Sequence, residues 1–538
     1  MPGRRMRRSV FGGIAMLTVL AIATGCAAAS PKTVAITPGD RPNADTVALP
    51  AEQAALVDAA VKRLPDLITD GLTRTGVPGL AVAVVSGDQV VYSGGFGVKD
   101  TRTGAPVDTD TVFQIASLSK PLSATVVAKA VGDGTVTWDT PVQREMPTFT
   151  LADPYVTANA TIADYFTHRS GLPTDAGDDL EDLGFDRATI LDRLHLIPLA
   201  PFRSTYQYSN FGLTTGAEAL AAARGETWEQ TADQLLFQPL GMTSTSSSHA
   251  DFLAAPDHAV LHVKTGDRTF EPLFDRDPDA EAPAGGDSST VGDIATWMRL
   301  ILDGGKLNGQ QYLDPAALLA MTSAQIVNAT GPTVDNRPGH YGYGIGVGST
   351  AAGRVTLSHS GAFGSGAATT ATLVPSLGLG IVVLTNAAPV GLPEAITQEF
   401  LDLVQYGDLS RDWVDTLGQA FARFAAPSGD LAGEQPPANA ALAAPASAYV
   451  GTYTSPYFGN LVVTESGGRL QGAMGPTGGY TFAIDPWNGD TLSFVPTGEG
   501  ALPGSQSSAT FVRAGDQATQ VTLQYFDKFG LGTFTRVS

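Results

Sequence analysis

Residues 80–92 read Leu80-Ala81-Val82-Ala83-Val84-Val85-Ser86-Gly87-Asp88-Gln89-Val90-Val91-Tyr92. An apolar run, a Ser-Gly-Asp turn and a second run describe an antiparallel hairpin. Before it, Leu56, Val57, Ala60, Val61, Leu64 and Leu67 recur at helical spacing within 51–73, which predicts an amphipathic helix. After it comes a helix-rich middle, with helices expected near 117–132, 161–168, 188–194, 214–224, 229–237, 290–303 and 315–321. Strands return at 354–359, 366–374 and 380–385, and a terminal helix is expected over 411–424. Strands first, helices between and strands again predict an α+β fold. One antiparallel sheet, assembled from both chain ends and flanked by helices, accompanies a helical subdomain.

Residues 426–446 are rich in Ala, Pro, Gly, Glu and Gln and read as a linker. Beyond them eight short alternating runs recur at 449–454, 460–465, 469–474, 480–484, 491–495, 509–513, 519–526 and 532–537. Gly, Pro or Asp turns separate most of them, so a small all-β barrel or sandwich is expected. No catalytic constellation falls there.

The chain has 538 residues, 43% of them hydrophobic, enough for a sizeable core and against global disorder. Its 32 Lys+Arg stand against 53 Asp+Glu, a net charge of −21, which argues against nucleic acid as the main partner. Cys26 is the single cysteine, so no intramolecular disulfide and no Cys-based zinc site is available. His258 and His262, four apart, read as a packed or surface pair without a third ligand. No metal or cofactor is called for.

Cys26 is explained by what precedes it. Arg4, Arg5, Arg7 and Arg8 form a basic region, and residues 10–24 an apolar run too short for a comfortable membrane span of about 20 residues. The run ends Ala23-Thr24-Gly25-Cys26, which resembles a bacterial lipobox, in which the cysteine is lipidated and becomes the first residue of the mature protein. The expectation is a lipoprotein signal over 1–26 and a tether over 27–50. The protein would be exported and lipid-anchored through Cys26 to the outer face of the bacterial cell membrane; a plain secretory signal is the alternative. The arginine pairs also permit twin-arginine export. A catalytic domain over 51–425, the linker over 426–446 and the β-domain over 447–538 complete the organisation.

Three short motifs carry chemistry. Ser117-Leu118-Ser119-Lys120 precedes an apolar helical run. Ser and Lys three apart share a helix face, and a lysine depressed by burial activates a neighbouring hydroxyl. Tyr208-Ser209-Asn210 is the one Tyr-x-Asn in the chain; Tyr208 becomes a base if nearby cations lower its pKa, and Asn210 offers an amide donor and acceptor. His359-Ser360-Gly361-Ala362 follows a predicted strand, and its glycine permits close backbone approach. Two decoys compete. His340-Tyr341-Gly342 opens a Gly-rich run and reads as a tight strand entry. Lys264-Thr265-Gly266 reads as a hairpin tip. No Gly-x-Ser-x-Gly elbow occurs, which disfavours an α/β-hydrolase.

Taken together, these motifs resemble the serine β-lactamase and penicillin-binding-protein-like hydrolases, a family that includes class C β-lactamases, soluble D-alanyl-D-alanine carboxypeptidases, D-aminopeptidases and β-lactamase-like esterases. Ser-x-x-Lys, Tyr-x-Asn and Lys/His-x-Gly occur in the family's order. His168-Arg169-Ser170-Gly171-Leu172-Pro173, Pro239-Leu240-Gly241-Met242, Pro283-Ala284-Gly285-Gly286 and Ile381-Val382-Val383-Leu384-Thr385-Asn386 are similar too. The resemblance covers about residues 51–400, and the segment from Tyr449 is similar to small β-barrels appended to some members. Pro201-Phe202 stands where Pro-Gly is frequent, and His359 where many β-lactamases carry lysine, which favours a peptidase or esterase.

The resemblance implies that Ser117 forms an acyl-enzyme, with Lys120 and Tyr208 sharing the proton work. The backbone N–H groups of Ser117 and Ala362 would form the oxyanion hole, in which one donor is worth about 2.7–4 kcal/mol. Asn210 would hold the substrate amide and Lys120. His359, titrating near neutral pH, would orient a carboxylate or assist proton transfer. The substrate would be a small-molecule or peptide ester or amide. The alternative is a non-catalytic surface lipoprotein that binds cell-wall peptide or penicillin through the same groove.

Overall fold

A computed structural model describes residues 51–538 apart from 332, 334, 335 and 423–425. The expected export signal, Cys26 and the tether lie outside the described residues. Within them, the 80–85 run is paired on both sides. Strand β1 (Gly79–Ser86) is antiparallel to β2 (Gln89–Asp100). Its other edge takes β9 (Leu379–Thr385) from the far end of the domain, with Val82 opposite Val383. The remaining strands are β3 (Ala105–Pro106), β4 (Ile326–Ala329), β5 (Gly339–Tyr341), β6 (Gly346–Ser349), β7 (Val355–Phe363) and β8 (Ala367–Val374). The sheet order is β4-β5-β6-β7-β8-β9-β1-β2-β3.

Alternation sorts β1 between two layers. Leu80, Val82 and Val84 belong to one buried apolar cluster with Val57, Leu64 and Ile68 of helix α1 (Ala51–Thr75). Ala81, Ala83 and Val85 share the other cluster with Phe113 and Leu118, and with helices α2 (Ser119–Gly132), α3 (Asn210–Arg224) and α4 (Val291–Leu302). The first layer also holds α5 (Leu392–Tyr406), through Leu392, Ile396 and Phe400. Helix α5 has no counterpart among the sequence-based expectations. It begins at Gly391, in the left-handed region at φ 79°, followed by Leu392-Pro393. Gly and Pro there read as a loop, yet proline is well tolerated in a helix's first turn, where its missing N–H costs nothing.

Two further boundaries move. Strand β7 runs to Phe363 rather than ending at His359, because β8 pairs with it throughout: His359 faces Ala371, Gly361 faces Thr369 and Phe363 faces Ala367. Helix α3 starts at Asn210 rather than near 214, because Ser209 caps it, its hydroxyl accepting from Gly212 N at 3.0 Å.

The C-terminal strands between Gly451 and Arg536 close into an eight-stranded antiparallel barrel. Tyr453, Tyr457, Phe458, Leu461 and Phe534 fill its interior and are at most 1% exposed. The segment preceding it is strapped to the barrel: the Asp430 carboxylate accepts from the hydroxyls of Ser507 and Ser508, and Leu431 N donates to Gln506 O. Among the described residues no helix is long and apolar enough to cross a membrane.

Candidate active site

Ser117 sits in a single 3-10 turn, Ala116–Leu118, immediately before α2. It is the one partly exposed residue between Thr111 and Ala128. The turn is held under strain: Ala116 has φ 49°, a region that L side chains avoid at a cost of order 1–3 kcal/mol. Hydrogen bonds on both sides fix it. Ile115 N donates to Asp287 O, Ser119 Oγ donates to Ala116 O at 2.7 Å, and Asp287 N returns a bond to Ser119 Oγ.

One helical turn on, Lys120 is fully buried. Its Nζ donates to Ser117 Oγ at 2.8 Å, Asn210 Oδ1 at 2.7 Å and Ala284 O at 2.8 Å. The last acceptor is free because 282–286, the Ala-Pro-Ala-Gly-Gly run, forms a π-turn whose carbonyls are not all spent within the helix; Pro283 O takes the Ser123 hydroxyl in the same way. Burial pushes the Lys120 amine down to about 8, and the carboxylates of Glu281, Asp178 and Glu181 limit the fall.

Tyr208 closes the other side. Its ring lies beside Lys120, whose Nζ is 4.6 Å from the ring centre. His168, itself at φ 54°, fixes this segment: Ser209 N donates to His168 Nδ1 at 3.1 Å and Gln207 N donates to His168 O. Burial, with Tyr206, Glu281 and Asp178 nearby, holds the Tyr208 phenol well above its ordinary value. The condition under which Tyr208 would act as a base, a lowered pKa, is not met in the free site, which presents a phenol and a lysine with a weakened hold on its proton.

The third motif approaches from β7. Gly361 packs so tightly on the nucleophile turn that a Cβ would lie 2.2 Å from Ile115 O, 2.5 Å from Thr369 Oγ1 and 3.0 Å from Leu118 N. Thr369 Oγ1 donates to Ile115 O, tying the neighbouring strand to the same peptide. The next residue, Ala362, is exposed, and β6 pairs with β7 only as far as Ser358.

His359 departs from expectation. Its Nε2 accepts from Tyr341 Oη at 2.8 Å and its Nδ1 faces Ser360 O at 2.8 Å, an arrangement of the neutral ring with the proton on Nδ1. Burial and the Lys120 charge push it down to about 3. It does not titrate near neutral pH and offers no positive charge to a carboxylate.

Sequence reading missed Asp178, whose Oδ2 accepts from Asn210 Nδ2 at 3.2 Å, and Tyr341 on His359. Asp178 lies in an acidic run, Asp178–Asp182, that reads as solvated surface, and only the fold brings it to Asn210. Of the decoys, Lys264-Thr265-Gly266 forms a hairpin tip, with Thr265 N donating to Thr269 O, and His340 lies in β5. His262 is buried, accepting from Thr101 N and facing Asn386 O, while His258 faces Ala255 O.

Gly361→Ala should lower turnover by about 100-fold, since a displacement near 1 Å suffices for that, and destabilise by about 1–3 kcal/mol through overpacking. Steady-state rates and urea midpoints check both.

The chain is 26% identical over 364 residues to the D-alanyl-D-alanine-carboxypeptidase/endopeptidase AmpH of Escherichia coli, covering 66% of this chain and 91% of that protein. It is 32% identical over 226 residues to esterase EstB of Burkholderia gladioli, covering 38% and 56%. Unguisins hydrolase ungD of Aspergillus violaceofuscus is 28% identical over 254 residues, and the chain spans 44% of its length. The octameric penicillin-binding protein homologue from Pyrococcus abyssi shares the fold, with a TM-score of 0.56 at 18% identity over 88% of this chain and all of that one. Residues 435–531 match a domain of unknown function, DUF3471. Residues 58–404 match the family described as Beta-lactamase, and the chain belongs to that family.

Proposed function

We propose that the protein is a serine hydrolase that forms an acyl-enzyme on Ser117 and acts on an ester or amide, more readily of the esterase or D-amino-acid-peptidase type than as a true β-lactamase. The observation that carries the reading is Lys120 Nζ at 2.8 Å from Ser117 Oγ, with its pKa lowered to about 8. A weakly basic, buried amine in hydrogen-bond reach of a hydroxyl is the arrangement general-base activation requires.

In the proposed cycle, Lys120 accepts the Ser117 proton as Oγ attacks the carbonyl. The oxyanion is held by the backbone N–H groups of Ser117 and Ala362. The Tyr208 phenol, still protonated, hands its proton to the leaving group and is reprotonated through Lys120. Deacylation by water reverses these roles. Asn210 keeps Lys120 oriented, its amide fixed by Asp178 on the other side. The neutral His359 favours an ester or an amide without a free carboxylate, since the third motif offers no cation to grip one.

The protein treated with a fluorophosphonate should gain one adduct, mapped to Ser117 by intact and peptide mass, and Ser117→Ala should gain none and lose turnover. An adduct or activity surviving in Ser117→Ala would refute the mechanism. In parallel assays, a short-chain nitrophenyl ester should be turned over faster than a chromogenic cephalosporin. We also propose export with lipid anchoring at Cys26, supported by the sequence around that residue. Cys26→Ala expressed in a bacterial host should move from the membrane to the soluble or secreted fraction; an unchanged membrane fraction would contradict the anchor.

A further inference from the structure

The C-terminal barrel touches the catalytic domain at the two segments that frame the active site. The first is the turn after β7. The barrel turn at Gly498–Glu499 inserts its carboxylate there: Glu499 Oε1 accepts from Gly364 N, and Oε2 accepts from Ser365 N at 3.3 Å. Gly364 and Ser365 follow Ala362 and Phe363 at the end of the strand that bears the proposed oxyanion donor. Arg276 locks the junction from below. Its guanidinium lies 4.3 Å from the Phe363 ring centre and reaches Glu499 at 3.5 Å, Glu181 at 3.0 Å, Glu281 at 2.9 Å and Asp182 at 4.0 Å.

The second segment is 175–182, which holds Asp178 against Asn210. Tyr457 of the barrel donates its hydroxyl to Asp179 Oδ1 at 3.0 Å, Lys528 pairs with Asp175 at 3.0 Å, and Glu499 N donates to Asp182 Oδ1. Arg193 Nη1 returns a bond to Tyr457 O at 2.7 Å.

The contact is shaped as well as bonded. A Cβ on Gly364 would meet Glu499 O at 3.0 Å, one on Gly498 would meet Asp182 Oδ2 at 2.7 Å, and one on Gly475 would meet Leu183 O at 2.4 Å. One buried apolar cluster includes Leu180 and Leu183 with Tyr457 and Phe458. A tether that merely held two independent bodies together would need none of this.

We infer that the barrel is a structural part of the catalytic site, and that Glu499 is a positioning residue that sets the oxyanion-hole strand while Tyr457 sets the Asp178–Asn210 side. The inference rests on the proposed roles of Ser117 and Ala362. It is distinct from them, because neither barrel residue touches the reacting atoms.

The test uses the whole chain. Glu499→Ala and Tyr457→Phe should lower kcat and the rate of Ser117 labelling by a fluorophosphonate ~10- to 100-fold with KM within about threefold, as expected of misplaced rather than missing groups. Arg469→Ala, which removes an exposed pair with Asp485 on the barrel, should label and turn over as wild type. Should Glu499→Ala fail to fold, Tyr457→Phe decides, since it keeps the ring and removes only the hydroxyl that reaches Asp179: slowed labelling supports the inference and wild-type labelling overturns it. Folded Glu499 and Tyr457 variants with wild-type kcat also overturn it. Ser117→Ala separates the two ideas: if it still labels, the reading of the nucleophile fails whatever Glu499 does.

Discussion

One buried nitrogen organises the site. Lys120 Nζ meets the Ser117 hydroxyl, the Asn210 amide and the Ala284 carbonyl within 2.8 Å. These groups come from a helix start, a second helix start and a π-turn that lie far apart in the chain. An amine without access to water is costly unless it is hydrogen-bonded or uncharged. Here both remedies are present in part: three oxygen acceptors surround it, and its pKa falls to about 8. The strain at Ala116, the cap at Ser209 and the irregular turn at 282–286 are local costs that bring those three oxygens together.

The same constraint accounts for the neighbours. Burial, and after it the Lys120 charge, lowers both His359 and His168, so both rings stay neutral. Burial keeps the Tyr208 phenol protonated. The cleft therefore contains one amine with a weakened grip on its proton, one phenol that retains its own and two uncharged imidazoles. That distribution suits passing a single proton between Ser117 Oγ and a leaving group.

Much of this is legible in the sequence, for reasons that differ by residue. Ser117, Lys120, Tyr208, Asn210 and Gly361 stand out because their types and spacing are local, and the fold brings them together. The eight barrel strands are legible because turns punctuate a period of two. Helix α5 was not, because the Gly and Pro at its start imitate a loop. Asp178, Tyr341 and Glu499 were not legible either. Each acts across 18 to 135 residues of chain, and nothing near it in sequence marks it. The neutrality of His359 follows from burial, which the His-x-Gly pattern does not encode.

In the proposed cycle neutral Lys120 takes the proton from Ser117. The direct measurement is the second-order rate constant for Ser117 acylation between pH 6 and 10, with an uncharged ester that does not itself titrate. The lysine must lose its proton to act as base, and its pKa is lowered from 10.5 to about 8. The rate should therefore rise with pH through an apparent pKa near 8 and then level off, and Lys120→Met should abolish that limb along with most of the rate. A wild-type profile flat from pH 6 to 10, or a limb near 8 that survives in Lys120→Met, would contradict the account.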